Sequence, residues 1–308
     1  MNEAMSWNSL EVPWGESADL LPLLAAAETP AIVMRGAVTL SECDKIIQKL
    51  IDAGELYDPQ KPVPPRFLEK SIPENYFRKG DDDGEGDDLF IPESTPRRRI
   101  DVGTSLGYRG NDPAVFFEHA KQTRALFSRL FEPGPETASV NPVAAIYDNL
   151  QRVAGEKRVR VASEPDGREY GPAIFRAHYG DYTYAPHFDS VRLREAREKY
   201  TVYRFQHQFA GVLVLQNAVA EHATAQCVIH QCLWDESIDT ELAKGNFHDY
   251  ARQNDVNQCC VNLEPGDLYF FNTRCIHEVP GVAGRLPRIV LATFIGYSAD
   301  DPEVMVWS

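Results

Sequence analysis

APHFDS, residues 185–190, decides how the rest of the chain is read. His187 and Asp189 are separated by one phenylalanine, so an extended strand turns both side chains to one face. An imidazole beside a carboxylate is half of a metal site. It is also what a polar strand carries by accident: with 8 histidines in 308 residues, chance alone supplies about 0.6 His-x-Asp pairs. The motif has to be judged by its surroundings.

Those surroundings read as β-structure. From about residue 173 the chain runs through AIFRAHY, HQFAGVLVLQN, TAQCVIHQCLW, CCVNLEPGDLYFFN and PRIVLATFIGYS. These short runs are rich in branched and aromatic residues, and several are bounded by turn residues such as Pro265-Gly266-Asp267. They predict antiparallel strands of a barrel or double-sheet jelly roll. Upstream the texture is helical. TLSECDKIIQKLIDAG carries a capping box, Thr39 with Glu42, and stops at Gly54. Ile46, Ile47, Leu50 and Ile51 form its apolar face. Asp112-Pro113 opens a second helix, and Asn141-Pro142 a third that stops at Gly155. The expected fold is mainly β with flanking helices (α+β). One domain is expected over 1–308, with helical support and loops in 1–172 and jelly-roll strands in 173–308. The acidic block Asp81 to Asp88 reads as a surface loop without the ligand spacing of a calcium site.

A jelly roll gives His187 and Asp189 a use if a distant strand supplies a second histidine. His277 stands at a strand end after a tight turn, and Arg288 opens the apolar run IVLATF eleven residues later. Two histidines and one carboxylate on one side of an iron(II) ion leave three positions open for oxygen and a co-substrate. An arginine entering a buried strand is costly without an anionic partner. A dicarboxylate is such a partner, because guanidinium binds carboxylate through two parallel hydrogen bonds. The bland alternative for Arg288 is a structural ion pair.

His187-x-Asp189, then His277, then Arg288 resembles the iron(II)/2-oxoglutarate-dependent oxygenases. The resemblance implies a double-stranded β-helix, iron(II) on His187, Asp189 and His277, and 2-oxoglutarate anchored by Arg288, with O2 as the other co-substrate. HYGDYTYAPHFDS is also similar to the strand of prolyl-hydroxylase-type members, which makes Tyr179 a second 2-oxoglutarate contact; otherwise Tyr179 is a core aromatic. AIVMRGAVTLSECDKIIQKLIDAG, PGDLYFFNTRCIHEVPGVAGRLPR and the final VWS are similar to the carrier-independent alkaloid halogenases of the welwitindolinone type. In that family a glycine stands where this chain has Asp189, and the missing carboxylate leaves room for chloride on iron. The retained carboxylate implies hydroxylation of an unactivated C–H bond in specialised metabolism, rather than halogenation. Desaturation or oxidative cyclisation needs the same iron centre and stays open, as does a peptide hydroxylase. A third class, a non-catalytic jelly-roll protein with structural histidines, also remains.

Composition narrows the partners. The net charge of −15 excludes nonspecific attraction to nucleic acid or an anionic membrane. The start of the chain has no basic-then-apolar signal, and the apolar run LLPLLAAA is too short for a bilayer. A cytoplasmic enzyme acting on a small molecule is expected, with its oligomeric state undetermined. The 6 cysteines lack the density of a disulfide scaffold. His222, Cys227, His230 and Cys232 look like zinc ligands but lack a Cys-x2-Cys pair, and Cys227 and His230 fall on opposite faces of a strand. His119, His207 and His248 show no constellation. Arg192, Arg194 and Arg204, in the charged segment after the motif, either meet an acidic substrate or lie on a solvated face.

Overall fold

A computed structural model describes residues 7–13, 15–68, 95–132 and 140–308. The acidic block at 81–88 lies outside the described residues. Among the described residues, fifteen strands form in chain order. The first four, β1 (Leu10–Glu11), β2 (Ile32–Met34), β3 (Arg99–Val102) and β4 (Arg158–Val161), belong to the half expected to be helical. Then come β5 (Ile174–His178), β6 (Tyr184–His187), β7 (His207–Gln216), β8 (Val219–Ala220), β9 (Ala223–Thr224) and β10 (Cys227–Leu233). The last are β11 (Gln258–Val261), β12 (Leu268–Asn272), β13 (Cys275–Val279), β14 (Arg288–Tyr297) and β15 (Glu303–Trp307).

They build two sheets and a small hairpin. The major sheet runs β1-β2-β12-β7-β14-β15-β4, with β5 pairing to the first half of β14 and β3 pairing to β5. The minor sheet runs β11-β10-β13-β6. Short β2 and β3 were not foreseen: three or four residues show too little alternation to register as strands, yet β2 pairs between β1 and β12, and β3 pairs with β5.

The helices form where their caps dictate. Helix α1 (Leu21–Ala25) precedes β2. Helix α2 (Leu40–Asp52) has the full Thr39/Glu42 capping box, which satisfies two otherwise orphaned N–H groups. Gly54 follows it at φ +70, a conformation that suits glycine at a helix end. After α3 (Leu106–Arg109), α4 (Pro113–Phe131) and α5 (Pro142–Val153) start on the Asp112 and Asn141 side chains, each accepting from two backbone N–H groups. Their apolar faces, Leu50, Phe127, Phe131, Ile146 and Leu150 among them, pack on the outer face of the major sheet. Helices α6 (Glu236–Ala243) and α7 (Phe247–Gln253) fill the connection between β10 and β11.

Alternation along the strands separates two faces. In β14, Ile289, Leu291 and Ile295 join the helix-side core, while Val290 lies between the sheets. In β5, Phe175 and Ala177 face the helices, while Ile174, Arg176 and His178 face a cavity between the sheets. The turn before β12 needs glycine: Gly266 has φ +99, and a Cβ there would lie 2.3 Å from the Val38 carbonyl oxygen. No helix among the described residues is long and apolar enough to cross a membrane. All 6 cysteines are free thiols.

Candidate metal centre

The cavity between the sheets is built around the motif. Strand β6 ends on His187, and β13 places His277 directly opposite it. The two rings lie 4.2 Å apart between centroids. Asp189 follows the end of β6. Its backbone N–H donates to the Thr273 carbonyl at 2.9 Å, and the Thr273 hydroxyl donates back to its carbonyl at 2.8 Å. These bonds hold the carboxylate in line with both rings: Asp189 Oδ2 is 3.8 Å from His187 Nε2 and 3.7 Å from His277 Nε2. An ion at about 2.1 Å, an ordinary metal–imidazole bond, reaches both members of such a pair.

The tautomers suit a metal. His187 Nδ1 lies 2.7 Å from the Ala185 carbonyl oxygen, and His277 Nδ1 lies 2.9 Å from that of Cys275. A carbonyl only accepts, so each Nδ1 carries a proton and each Nε2, facing the shared space, is the atom left for a metal. Burial opposes charge on Asp189, but a hydrogen bond from a protonated His277, the charge of a protonated His187 and Arg194 outweigh it and hold the carboxyl well below the usual carboxylate range. With a metal in place of the Nε2 protons, the donors are two neutral imidazoles and one carboxylate, a set that suits iron(II). Arg194 donates to Asp189 Oδ1 at 3.4 Å and to the Phe188 carbonyl at 3.0 Å.

Arg288 lines the same cavity at the start of β14 and is only 4% exposed. It forms no ion pair with a described carboxylate; its Nε has no hydrogen-bond partner among the described residues, and its side-chain partner is Tyr269. The structural ion pair considered from sequence is thus absent among the described residues. A buried guanidinium without an acid is an incomplete site that an anion would complete. His178, opposite Arg288 in the ladder, adds no competing charge. Burial first, and then the Arg288, Arg99 and Arg176 cations, push its pKa well below the ordinary value.

Tyr179 is placed elsewhere. It is one residue out of phase with Arg176 and His178, so it faces the helices, stacks on Tyr57 at 4.1 Å and donates to the Tyr57 carbonyl at 2.9 Å. It does not line the cavity; it is the core aromatic of the alternative reading. Cavity residues not singled out from sequence include Arg176, His178, Tyr184 and Tyr269. Arg176 donates to the Tyr184 hydroxyl at 2.9 Å. The signal for them was the parity of Ile174-x-Arg176-x-His178, the same argument that joined His187 to Asp189.

The remaining arginines and the zinc-like quartet separate. Arg192 donates to the Phe205 carbonyl, and Arg204 pairs with Asp301 and Glu303. Cys227 faces the cavity, while His222 is exposed beside Glu221. One expectation is corrected: His248 does belong to a constellation. It meets His230 and Glu278, with one donor atom of each residue within 4.8 Å of the others. The partners lie on different elements, so sequence spacing had nothing to offer.

The family model described as carrier-protein-independent halogenase WelO5 matches residues 14–308. Among solved structures, the chain is similar to an N-substituted L-amino acid dioxygenase from Burkholderia ambifaria AMMD, in complex with alpha-ketoglutarate. That match has 16% identity, covers 94% of this chain and 90% of that one, and has a TM-score of 0.52. The chain is also similar to the non-heme alpha-ketoglutarate-dependent epimerase SnoN from nogalamycin biosynthesis, at 11% identity over 91% and 84% of the two chains, with a TM-score of 0.41. No curated protein matches. The dioxygenase likeness establishes the fold as the jelly roll expected from sequence.

Proposed function

Because the chain belongs to the WelO5 family of carrier-protein-independent halogenases, an iron(II)/2-oxoglutarate-dependent family, we propose that it is an oxygenase that hydroxylates a C–H bond of a small molecule rather than halogenating it. The observation that carries this reading is Asp189, whose Oδ2 lies 3.7 Å and 3.8 Å from the two histidine Nε2 atoms. Its carboxylate stands where the resemblance puts a glycine and a chloride. Iron(II), 2-oxoglutarate and O2 together supply an oxidant strong enough to cleave an unactivated C–H bond, with succinate and carbon dioxide as co-products.

The chain's own residues divide the remaining work. His187, His277 and Asp189 hold three positions on one side of the cavity and leave the other side open. Arg288 pairs with the distal carboxylate of 2-oxoglutarate and fixes its direction. Arg194 keeps Asp189 oriented. Val212, Phe271, Val290 and Phe294 line the cavity with apolar surface and exclude water from the reacting centre. The family's carrier-independent chemistry and the apolar cavity favour a free small molecule over a peptide.

The test needs no substrate. Anaerobic protein with iron(II) and 2-oxoglutarate should show the weak visible charge-transfer band of the chelate, and His277→Ala should lose it. Chloride should leave the wild-type band unmoved and shift it in Asp189→Gly. A wild-type band that moves with chloride would show that halide reaches the metal despite Asp189, and would return the chain to halogenation.

A further inference from the structure

The outer face of the minor sheet carries a second set of donors. Glu278 follows His277 and points the opposite way, under α7. His230 of β10 lies on the same outer face, and His248 comes down from α7. His230 Nε2 is 3.0 Å and His248 Nε2 is 2.9 Å from the same oxygen, Glu278 Oε1. The His230 and Glu278 side chains are almost wholly buried, at 2% and 9% exposure, whereas His248 is 54% exposed and open to solvent. Two imidazoles and a carboxylate from three separate elements, closed on the protein side and open on the other, form a three-ligand zinc site with room for water as the fourth ligand. An ion about 2.1 Å from each donor spaces neighbouring donors by about 3.0–3.4 Å, close to the separations present.

The location gives such an ion a purpose. Phe188, between the two ligands of the motif, and Ile276, beside His277, face outward into a cluster with Trp234, Ile238, Phe247 and Ala251. Phe188 stacks on Trp234 at 4.3 Å. The helical connection thus buttresses the two strands that carry the inner ligands. A tie from α7 to Glu278 holds that buttress at the residue next to His277.

We propose that His230, His248 and Glu278 bind a divalent ion of the zinc class that clamps α7 to the outer face of the minor sheet, separate from the cavity on its inner face. This rests on the outer donors alone and stands whether or not the inner triad holds iron. The competing account is a metal-free clamp in which both histidines donate to Glu278.

The full chain is stripped with chelator, dialysed against zinc(II) and measured for bound metal and for Tm. His248→Gln separates the accounts, because glutamine can donate to Glu278 but is a poor zinc ligand. Wild type should bind two equivalents, and zinc should raise its Tm. His248→Gln should bind one and lose the part of the rise due to the outer site. His277→Ala, which breaks only the inner triad, should keep one equivalent and a zinc-dependent rise. A single wild-type equivalent lost in His277→Ala, or binding and Tm unchanged in His248→Gln, would overturn the proposal. If wild type binds a single equivalent that His277→Ala keeps and His248→Gln loses, the inner site fails and the outer one stands.

Discussion

His277 and Glu278 are adjacent in sequence and belong to different worlds. His277 points inward, toward His187, Asp189 and a cavity that also contains Arg288, which pairs with no described carboxylate. Glu278 points outward, toward His230 and His248. Both faces bring together two imidazoles and one carboxylate. They differ in what fixes the rings. Inside, each Nδ1 is anchored on a backbone carbonyl two residues back, so each Nε2 is aimed at the shared space before any ligand arrives. Outside, both Nε2 atoms converge on one carboxylate oxygen, and His230 Nδ1 has no partner among the described residues. Residue type is therefore a poor guide to a site's task; the hydrogen bond on the far side of the ring is a better one.

The contrast breaks most sharply at the inner ligands. His277→Ala should reduce iron(II) affinity by more than the ~10–100-fold typical of an outer-shell change, with succinate formation lost in proportion. Equilibrium metal binding and a 2-oxoglutarate turnover assay measure both. Retention of tight iron binding would mean that the inner face is not the metal centre. Next in size is Arg288→Ala. Losing a desolvated charge pair costs about 2–5 kcal/mol, so half-saturation by 2-oxoglutarate should rise at least about thirty-fold while iron(II) alone binds as before. An unchanged 2-oxoglutarate requirement would place the dicarboxylate elsewhere in the cavity.

Phe188→Ala tests the wall between the two faces. It removes a buried ring stacked on Trp234 and should lower stability by about 3 kcal/mol, measured by denaturant unfolding. If the buttress positions the ligands, iron affinity falls as well, though less than in His277→Ala. Stability loss with unchanged iron affinity would show that the triad holds its geometry without the helical connection. A histidine outside both clusters supplies a baseline for acid sensitivity. Burial first, and then Arg109, lower the His119 pKa from 6.5 to about 4. The folded state thus resists protonation that the unfolded state accepts. Its contribution is complete above pH 6.5 and is lost as the pH falls toward 4, at most about 3 kcal/mol and less after solvent screening of a partly buried ring. His119→Gln should flatten stability across that window in pH-dependent unfolding; an unaltered profile would assign the acid response to other groups.

Local rules carried much of this structure. Thr39, Asp112 and Asn141 cap their helices because each signal lies within three residues of the N–H it satisfies. The order of His187, Asp189, His277 and Arg288 was legible because a jelly roll returns distant strands to one cavity. Tyr179 shows the limit. Placing it required the phase of β5, and phase is set by which face the sheet buries, not by distance along the chain from the motif. Arg176 and His178 were missed for the same reason. The outer cluster was beyond sequence altogether, since His230, Glu278 and His248 meet only after α7 folds back over the strands.

The smallest effect isolates orientation from ligation. Arg194 reaches Asp189 Oδ1 at 3.4 Å from a side chain that is one-third exposed, so its charge is partly screened. It supplies neither the metal position nor the 2-oxoglutarate anchor. Arg194→Met keeps much of its length and removes the donor. Iron(II) affinity should fall by about tenfold, at the weak end of the outer-shell range, with the chelate band still present and 2-oxoglutarate half-saturation unchanged. Loss of the band would make Arg194 part of the binding machinery itself. No change in iron affinity would mean that the Thr273 backbone and hydroxyl bonds alone hold Asp189 in place, and that the inner face is organised by its backbone rather than by the charged segment that follows the motif.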